Sequence, residues 1–276
     1  MVYKKLNPTF EMVCMSYKIM IARFFSILSC VVFAQSQNLL PIILKNNELN
    51  ICQTSGYAPY SYKNIDGSWD GLNVVIDNEF AKFIGVKPHH IEIEWTGSIA
   101  ALLTKKCDMM SIGVVDTPER EQVISFGDPV FTSNVLLVLR NEPQLLKWAF
   151  TNDTTPNYDK LKLAVAEGTS SEYWATIAHI NYLTYKTYDT PVNAVLNKKV
   201  DGFIFEESFV KKLPLHIQNK LFIYKKPFQV EKVSAGFRKG DQDLKDKFNE
   251  FVKEFLKSGK LPVLQEKYLP GVVIEK

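Results

Sequence analysis

The chain has only four cysteines and four histidines in 276 residues, and almost no excess of either charge. No apolar run is long enough for a confident membrane span. Each scarcity excludes something. No two cysteines stand in CxxC spacing, and His89, His90, His179 and His216 are scattered. Neither a metal cluster nor a dithiol redox motif is therefore supported, and the histidines read as surface residues. The formal charge of +3 comes from one end of the chain. Of 33 basic and 30 acidic residues, Lys4, Lys5, Lys18, Arg23 and Glu11 fall within residues 1–36, and setting these aside leaves 29 of each sign. A neutral body without a basic stripe offers no electrostatic footing to nucleic acid. No paired acid and base and no nucleophile motif is present, so the sequence predicts neither an enzyme nor a cofactor.

What is present begins with a leader. Lys18 and Arg23 precede the apolar stretch FFSILSCVVFA, and Ala34 and Ser36 have the spacing of small residues at a cleavage site. A basic start, a short apolar core and small residues at its end describe a secretory signal peptide, here expected to be cut after Ser36. The 14 residues ahead of Met15 are unusual for such a signal, which makes Met15 an alternative start. Ile27-Leu28-Ser29-Cys30 loosely resembles a lipoprotein processing site, although Val31-Val32-Phe33 stays apolar where a processed lipoprotein turns polar. Cleavage leaves Cys52 and Cys107. An oxidising compartment permits a bridge between them, and two separate buried thiols satisfy the sequence equally.

From residue 49 onward, short apolar runs alternate with amphipathic segments. Strands are expected at 49–53, 91–95 and 108–114, with a helical stripe at 74–84 stopped by Gly85 and a second helix from Ser98. The pattern then recurs, with strands at 135–139, 161–166, 201–205 and 234–237 and a helix opening at 167–171. Leu244, Phe248, Phe251, Val252 and Phe255 share one face of a last amphipathic helix, 241–256, ended by Gly259. Strand–helix–strand repetition predicts an α/β fold with a largely parallel sheet.

Six segments in order resemble the polar amino-acid family of periplasmic substrate-binding proteins. They are ICQTSGYAPYSYKNIDGSWDGLNVVI, WTGSIAALLTKKCDMMSIGVVDTPERE, FGDPVFTSNVLLVL, LAVAEGTSSEYW, NAVLNKKVDGFIFEES and AGFRKGDQDLKDKFNEFVKEFLKSGKLPVLQEKYLP. The resemblance implies two α/β lobes, each a mixed, mostly parallel sheet flanked by helices, joined by two hinge strands. Residues 37–134 and 234–276 would form the first lobe and 135–233 the second, after the signal peptide at 1–36. The implied function is capture of a small polar ligand, an amino acid, in the cleft of a monomeric periplasmic protein that delivers it to the membrane permease of an ABC transporter.

The resemblance also implies a ligand site. Arg120, in Asp116-Thr117-Pro118-Glu119-Arg120, matches the arginine that clamps the ligand carboxylate, and its planar fork suits two charge-assisted hydrogen bonds. The ordinary alternative is a surface arginine paired with Glu119 or Glu121. Thr169 and Ser170 match a helix start that meets the same carboxylate, where free N–H groups favour an anion; plain capping explains the same residues. Tyr57 and Trp95 match the aromatics that sandwich the ligand, with Tyr60 a weaker candidate, and Gly113 and Val115 match the strand end beside them. Glu206 falls where the family has an aspartate for the ligand ammonium, and Asp201 reads as structural. Three departures stand out. Val115 replaces a hydroxyl residue, Asn73 replaces an acid, and Thr54 lies where binders of basic ligands carry an acid. Glu206 and Val115 keep open a dehydratase-like enzyme on the same scaffold, and delivery to a sensory receptor is a further alternative.

Overall fold

The computed structural model describes residues 38–151 and 155–272. The expected leader, with Cys30 and both start sites, lies outside the described residues. The strands are β1 (Glu48–Gln53), β2 (Tyr62–Lys63), β3 (Trp69–Asp70), β4 (Lys87–Glu92), β5 (Met109–Val115), β6 (Ile124–Phe126) and β7 (Phe131–Arg140). They continue with β8 (Phe150–Thr151), β9 (Thr155–Pro156), β10 (Lys162–Ala166), β11 (Asn181–Tyr185), β12 (Gly202–Glu206), β13 (Leu221–Ile223) and β14 (Gln229–Arg238). Eight of them form one hydrogen-bonded path, β11-β10-β12-β7-β14-β5-β1-β4, to which β13 and β6 add at β7 and β14. The outer pairs, β1 with β4 and β5 and β10 with β11 and β12, are parallel.

Two long strands make the centre. β7 and β14 pair antiparallel from Phe131↔Val233 to Val135↔Gln229 and then separate, β7 continuing against β12 and β14 against β5. The two half-sheets, flanked by helices, are thus continuous through two crossing strands, a two-lobed α/β architecture. The apolar core follows the same division. Two buried clusters draw on residues 43–131 and 233–269, and two others on residues 135–221.

Local sequence explains the helices that frame the site. Gln242–Lys257 buries Leu244, Phe248, Phe251, Val252 and Phe255, the face its spacing predicts, and Gly259 follows it at φ +73°. Leu72–Phe83 follows Gly71 and buries Leu72, Val74, Ile76 and Phe80. The strand expected at 91–95 is instead β4, four residues earlier. Among the described residues it pairs only with β1, from Glu48↔Lys87 to Gln53↔Glu92, so the length of its neighbour sets its end and Trp95 begins a short 3-10 turn. A helix at Leu39–Asn46, which the sequence reading did not foresee, docks on Gln242–Lys257 through a bond from the Leu40 N–H to Asp243 Oδ2 (2.8 Å).

Cys52 and Cys107 form a disulfide that ties β1 to the turn before β5, across 55 residues of chain. A loop of that length gives about 4 kcal/mol in the chain-entropy account of cross-links. The histidines divide. His89, His179 and His216 are exposed, whereas His90 is half-buried, bonded to Asn78 Oδ1 at 2.8 Å, and burial holds it at about 4, which corrects its reading as a surface residue.

Candidate ligand-binding site

The C-terminal ends of the parallel strands converge on one cavity, the usual place for a ligand in such sheets. It encloses about 610 Å³ of space between atoms, its open mouth included. Its first wall comes from β1, β5 and the turns after them. Tyr57 stands on the loop after β1, Trp95 on the 3-10 turn, and Gly113 and Val115 at the end of β5. Thr117 caps the short helix Pro118–Glu121, with Pro118 at its first position, and this turns Arg120 inward. Its second wall holds Thr169 and Ser170 after β10, Tyr188 after β11, and Glu206 at the end of β12.

All eight residues singled out in the sequence, Tyr57, Trp95, Gly113, Val115, Arg120, Thr169, Ser170 and Glu206, line this cavity, and so does Thr54. Tyr60 does not. It is 4% exposed and stacks on Phe131 in the core. Asp201 accepts the Lys162 N–H and lies away from the cavity.

Arg120 is buried without a salt bridge among the described residues. Its terminal nitrogens donate to the carbonyls of Val115 and Gly168, both at 2.9 Å, and its guanidinium lies 5.1 Å from the Trp95 ring centre. Each terminal nitrogen has a second hydrogen, so donors remain for a carboxylate. Trp95 Nε1 donates to the same Gly168 carbonyl at 2.8 Å. Gly168, at φ +70°, reverses the chain into helix Ser170–Ile177. There the Thr169 oxygen accepts the Glu172 N–H, and Glu172 reaches back past the cap to the Gly168 N–H. The N–H groups of Ser170 and Ser171, in the first turn, have no partner within the helix.

The second wall carries the acid. One oxygen of Glu206, Oε2, is buried with no hydrogen-bond partner. Burial raises its carboxyl to about 7, and the nearby charge of Glu231 adds to the rise. The Tyr57 hydroxyl and Arg120 oppose that rise, and burial beside Glu206 raises Tyr57 in turn.

Four residues at the site escaped the sequence reading as ligand contacts. Glu231, on β14, is 2% exposed and accepts from Ser170 Oγ (3.0 Å) and Trp174 Nε1 (2.8 Å). Its signal was the alternation along β14, which puts it in phase with buried Val233. Tyr188 packs its ring 4.8 Å from that of Tyr57. Gln53 and Asn73 line the first wall. Gln53 ends the strand β1, and Asn73 is a departure from the family pattern to which the sequence alone gives no role.

Residues 49–271 match the family model of bacterial extracellular solute-binding proteins, family 3. The chain belongs to this family. Among curated proteins it is similar to the L-cystine-binding protein TcyJ of Escherichia coli, 24% identical over 84% of this chain and 86% of the relative. It is equally similar to the L-arginine-binding protein of Pseudomonas aeruginosa, 24% identical over 83% and 90%. Among solved structures, the ancestral amino acid-binding protein AncCDT-1, a precursor of cyclohexadienyl dehydratase, matches at TM-score 0.72 and 25% identity, over 84% of this chain and 99% of that one. Holo ArgBP from T. maritima shares the fold at TM-score 0.69 and 23% identity, over 83% and 98%. As a member of this family the protein captures an extracellular solute for transport.

Proposed function

We propose that the protein binds one amino acid as its zwitterion between the two walls and delivers it to the membrane permease of an ABC transporter, acting as a secreted monomer in the periplasm. One observation carries this reading: a buried arginine and a buried, underbonded glutamate stand on opposite walls of one cavity. Arg120, with the free N–H groups of Ser170 and Ser171, receives the α-carboxylate, and Glu206 receives the α-ammonium. Tyr57 and Trp95 hold the side chain between their rings. The names of the relatives, which bind cystine and arginine, support the ligand class.

In this reading residues 37–134 and 234–276 move as one body against 135–233. The two crossing strands bend near 134–140 and 228–234, and a ligand gripped by both walls favours the closed form through its differential affinity. A thermal-shift screen of amino acids tests the assignment, because a ligand at 100 times its Kd adds about 2.7 kcal/mol of stability. An amino acid is expected to stabilise the wild type and to leave Arg120→Ala unmoved. Equal stabilisation of both proteins removes Arg120 from the site.

A second reading, turnover, draws on Glu206, whose carboxyl exchanges its proton near neutrality as a general acid must. Mixing the pure protein with prephenate-like substrates separates the two readings. Product formation selects the enzyme, and saturable binding with the ligand recovered unchanged selects the carrier.

A further inference from the structure

We propose that Gln53 and Asn73 read the ligand side chain and select an uncharged, hydrogen-bonding group, a carboxamide above all, over a cationic one. This deepens the amino-acid reading and rests on it. Gln53 is 1% exposed and Asn73 3% exposed, both line the cavity, and neither Gln53 Oε1 nor Asn73 Oδ1 has a hydrogen-bond partner. Buried amide oxygens are seldom left unsatisfied, because the desolvation of each is uncompensated until a donor arrives. Their backbones are fixed. Gln53 O accepts the Ile93 N–H and the Asn73 N–H donates to Tyr60 O, both at 2.9 Å. The missing side chain at Gly113 makes room for Asn73, since a Cβ there would lie 2.4 Å from Asn73 Nδ2.

The surrounding hydroxyls add to the same demand. Ser61 donates to the Thr54 carbonyl, Ser98 to the Trp95 carbonyl and Ser111 to Asp77, so all three commit their hydrogens within the protein. What they turn to the cavity is acceptor lone pairs. The charged residues of this cavity are Arg120 and Glu206, which the zwitterionic head engages; Glu231 lines the adjoining pocket, where Ser170 Oγ and Trp174 Nε1 already hold its two oxygens. Asp77 lies behind the wall, with its oxygens held by Ser111 Oγ and the Ile112 N–H. A cationic side chain would thus be desolvated without a carboxylate free to pair with it, whereas a neutral donor finds acceptors in place. A carboxamide pairs with a protein amide whichever way either is turned.

Calorimetric titration of the wild type with L-glutamine, L-asparagine, L-leucine and L-arginine tests the ranking. The expected result is that one of the two carboxamide amino acids binds at least tenfold tighter than L-arginine. Gln53→Met, which keeps the volume and removes the amide, is expected to weaken that ligand at least tenfold and to change L-leucine binding by less than threefold. L-arginine binding as tightly as the carboxamides overturns the proposal and leaves amino-acid capture standing. So does an equal loss for both ligands in Gln53→Met. If none of the four binds and the wider thermal screen is also negative, the amino-acid reading falls and this proposal with it.

Discussion

Asp77, behind the first wall, and Glu206, on the second, are shifted alike, for burial raises each carboxyl to about 7. Their surroundings differ. Asp77 holds two donors and does not line the cavity; Glu206 lines it and leaves one oxygen bare. A perturbed carboxyl is therefore no guide to function by itself. An unsatisfied oxygen on a residue that lines the cavity separates the group that awaits a ligand from the group that serves the fold.

The largest effect that can break this contrast lies across the cavity from Glu206. Arg120→Ala is expected to lower affinity for the amino-acid ligand more than a hundredfold, by about 3–5 kcal/mol, since truncating one partner of a buried charge pair leaves the other unpaired. Calorimetry measures it, and circular dichroism checks that the fold survives.

Glu206 and Asp77 should then part company under pH. An ammonium ligand requires the ionised form of Glu206, so binding releases a proton below about pH 7 and affinity climbs as pH rises from about 5 to 8. Glu206→Gln is expected to flatten that climb and to weaken ammonium-bearing ligands far more than their deaminated analogues, whereas Asp77→Asn should leave the climb in place. A pH series of titrations on the three proteins reads this.

The stability of the unliganded protein sharpens the comparison further. Both carboxyls hold protons more tightly folded than unfolded. Their contribution is present in full below about pH 4 and is lost as pH rises through about 7. Asp77→Asn should remove roughly 2–4 kcal/mol of that decline, because the amide carries no charge, can still accept the Ile112 N–H and can donate its own N–H to Ser111 Oγ, which has the Ile112 carbonyl left to donate to. Urea titrations at pH 4.5 and 8 test it. Adding ligand should remove the part due to Glu206 and leave the part due to Asp77.

The smallest effect concerns the frame of the second wall. Thr169→Ala deletes the cap of helix Ser170–Ile177 and is expected to cost about 1 kcal/mol of stability. Thermal unfolding measures the loss.

How much of this was legible in the sequence follows from the range of the interactions involved. The stripe from Leu244 to Phe255 is a local pattern and could be read from neighbouring residues, whereas Arg120, whose neighbours alone suit a surface arginine, and Glu206 were legible through the family resemblance. The pairing of Cys52 with Cys107 depends on strands brought together by the whole sheet. β4 misled because Ile91-Glu92-Ile93-Glu94-Trp95 alternates like a strand, yet its ladder ends where β1 ends. Glu231 and Gln53 escaped notice as site residues for a related reason. A polar residue in an apolar strand reads as a strand end or a solvent face until the opposite wall is known.

The Gly168 carbonyl, which accepts from both Arg120 and Trp95, has a kinetic meaning. In the two-body reading, a ligand enclosed between the walls leaves only after these two hydrogen bonds break, so the dwell time on the carrier is set partly by contacts the ligand never makes. Trp95→Phe keeps the ring and deletes one of them. It should shorten the dwell time several-fold, as expected for one hydrogen bond of about 1 kcal/mol, with the association rate nearly unchanged. Release to a permease would then be timed by the hand-over of a single backbone oxygen.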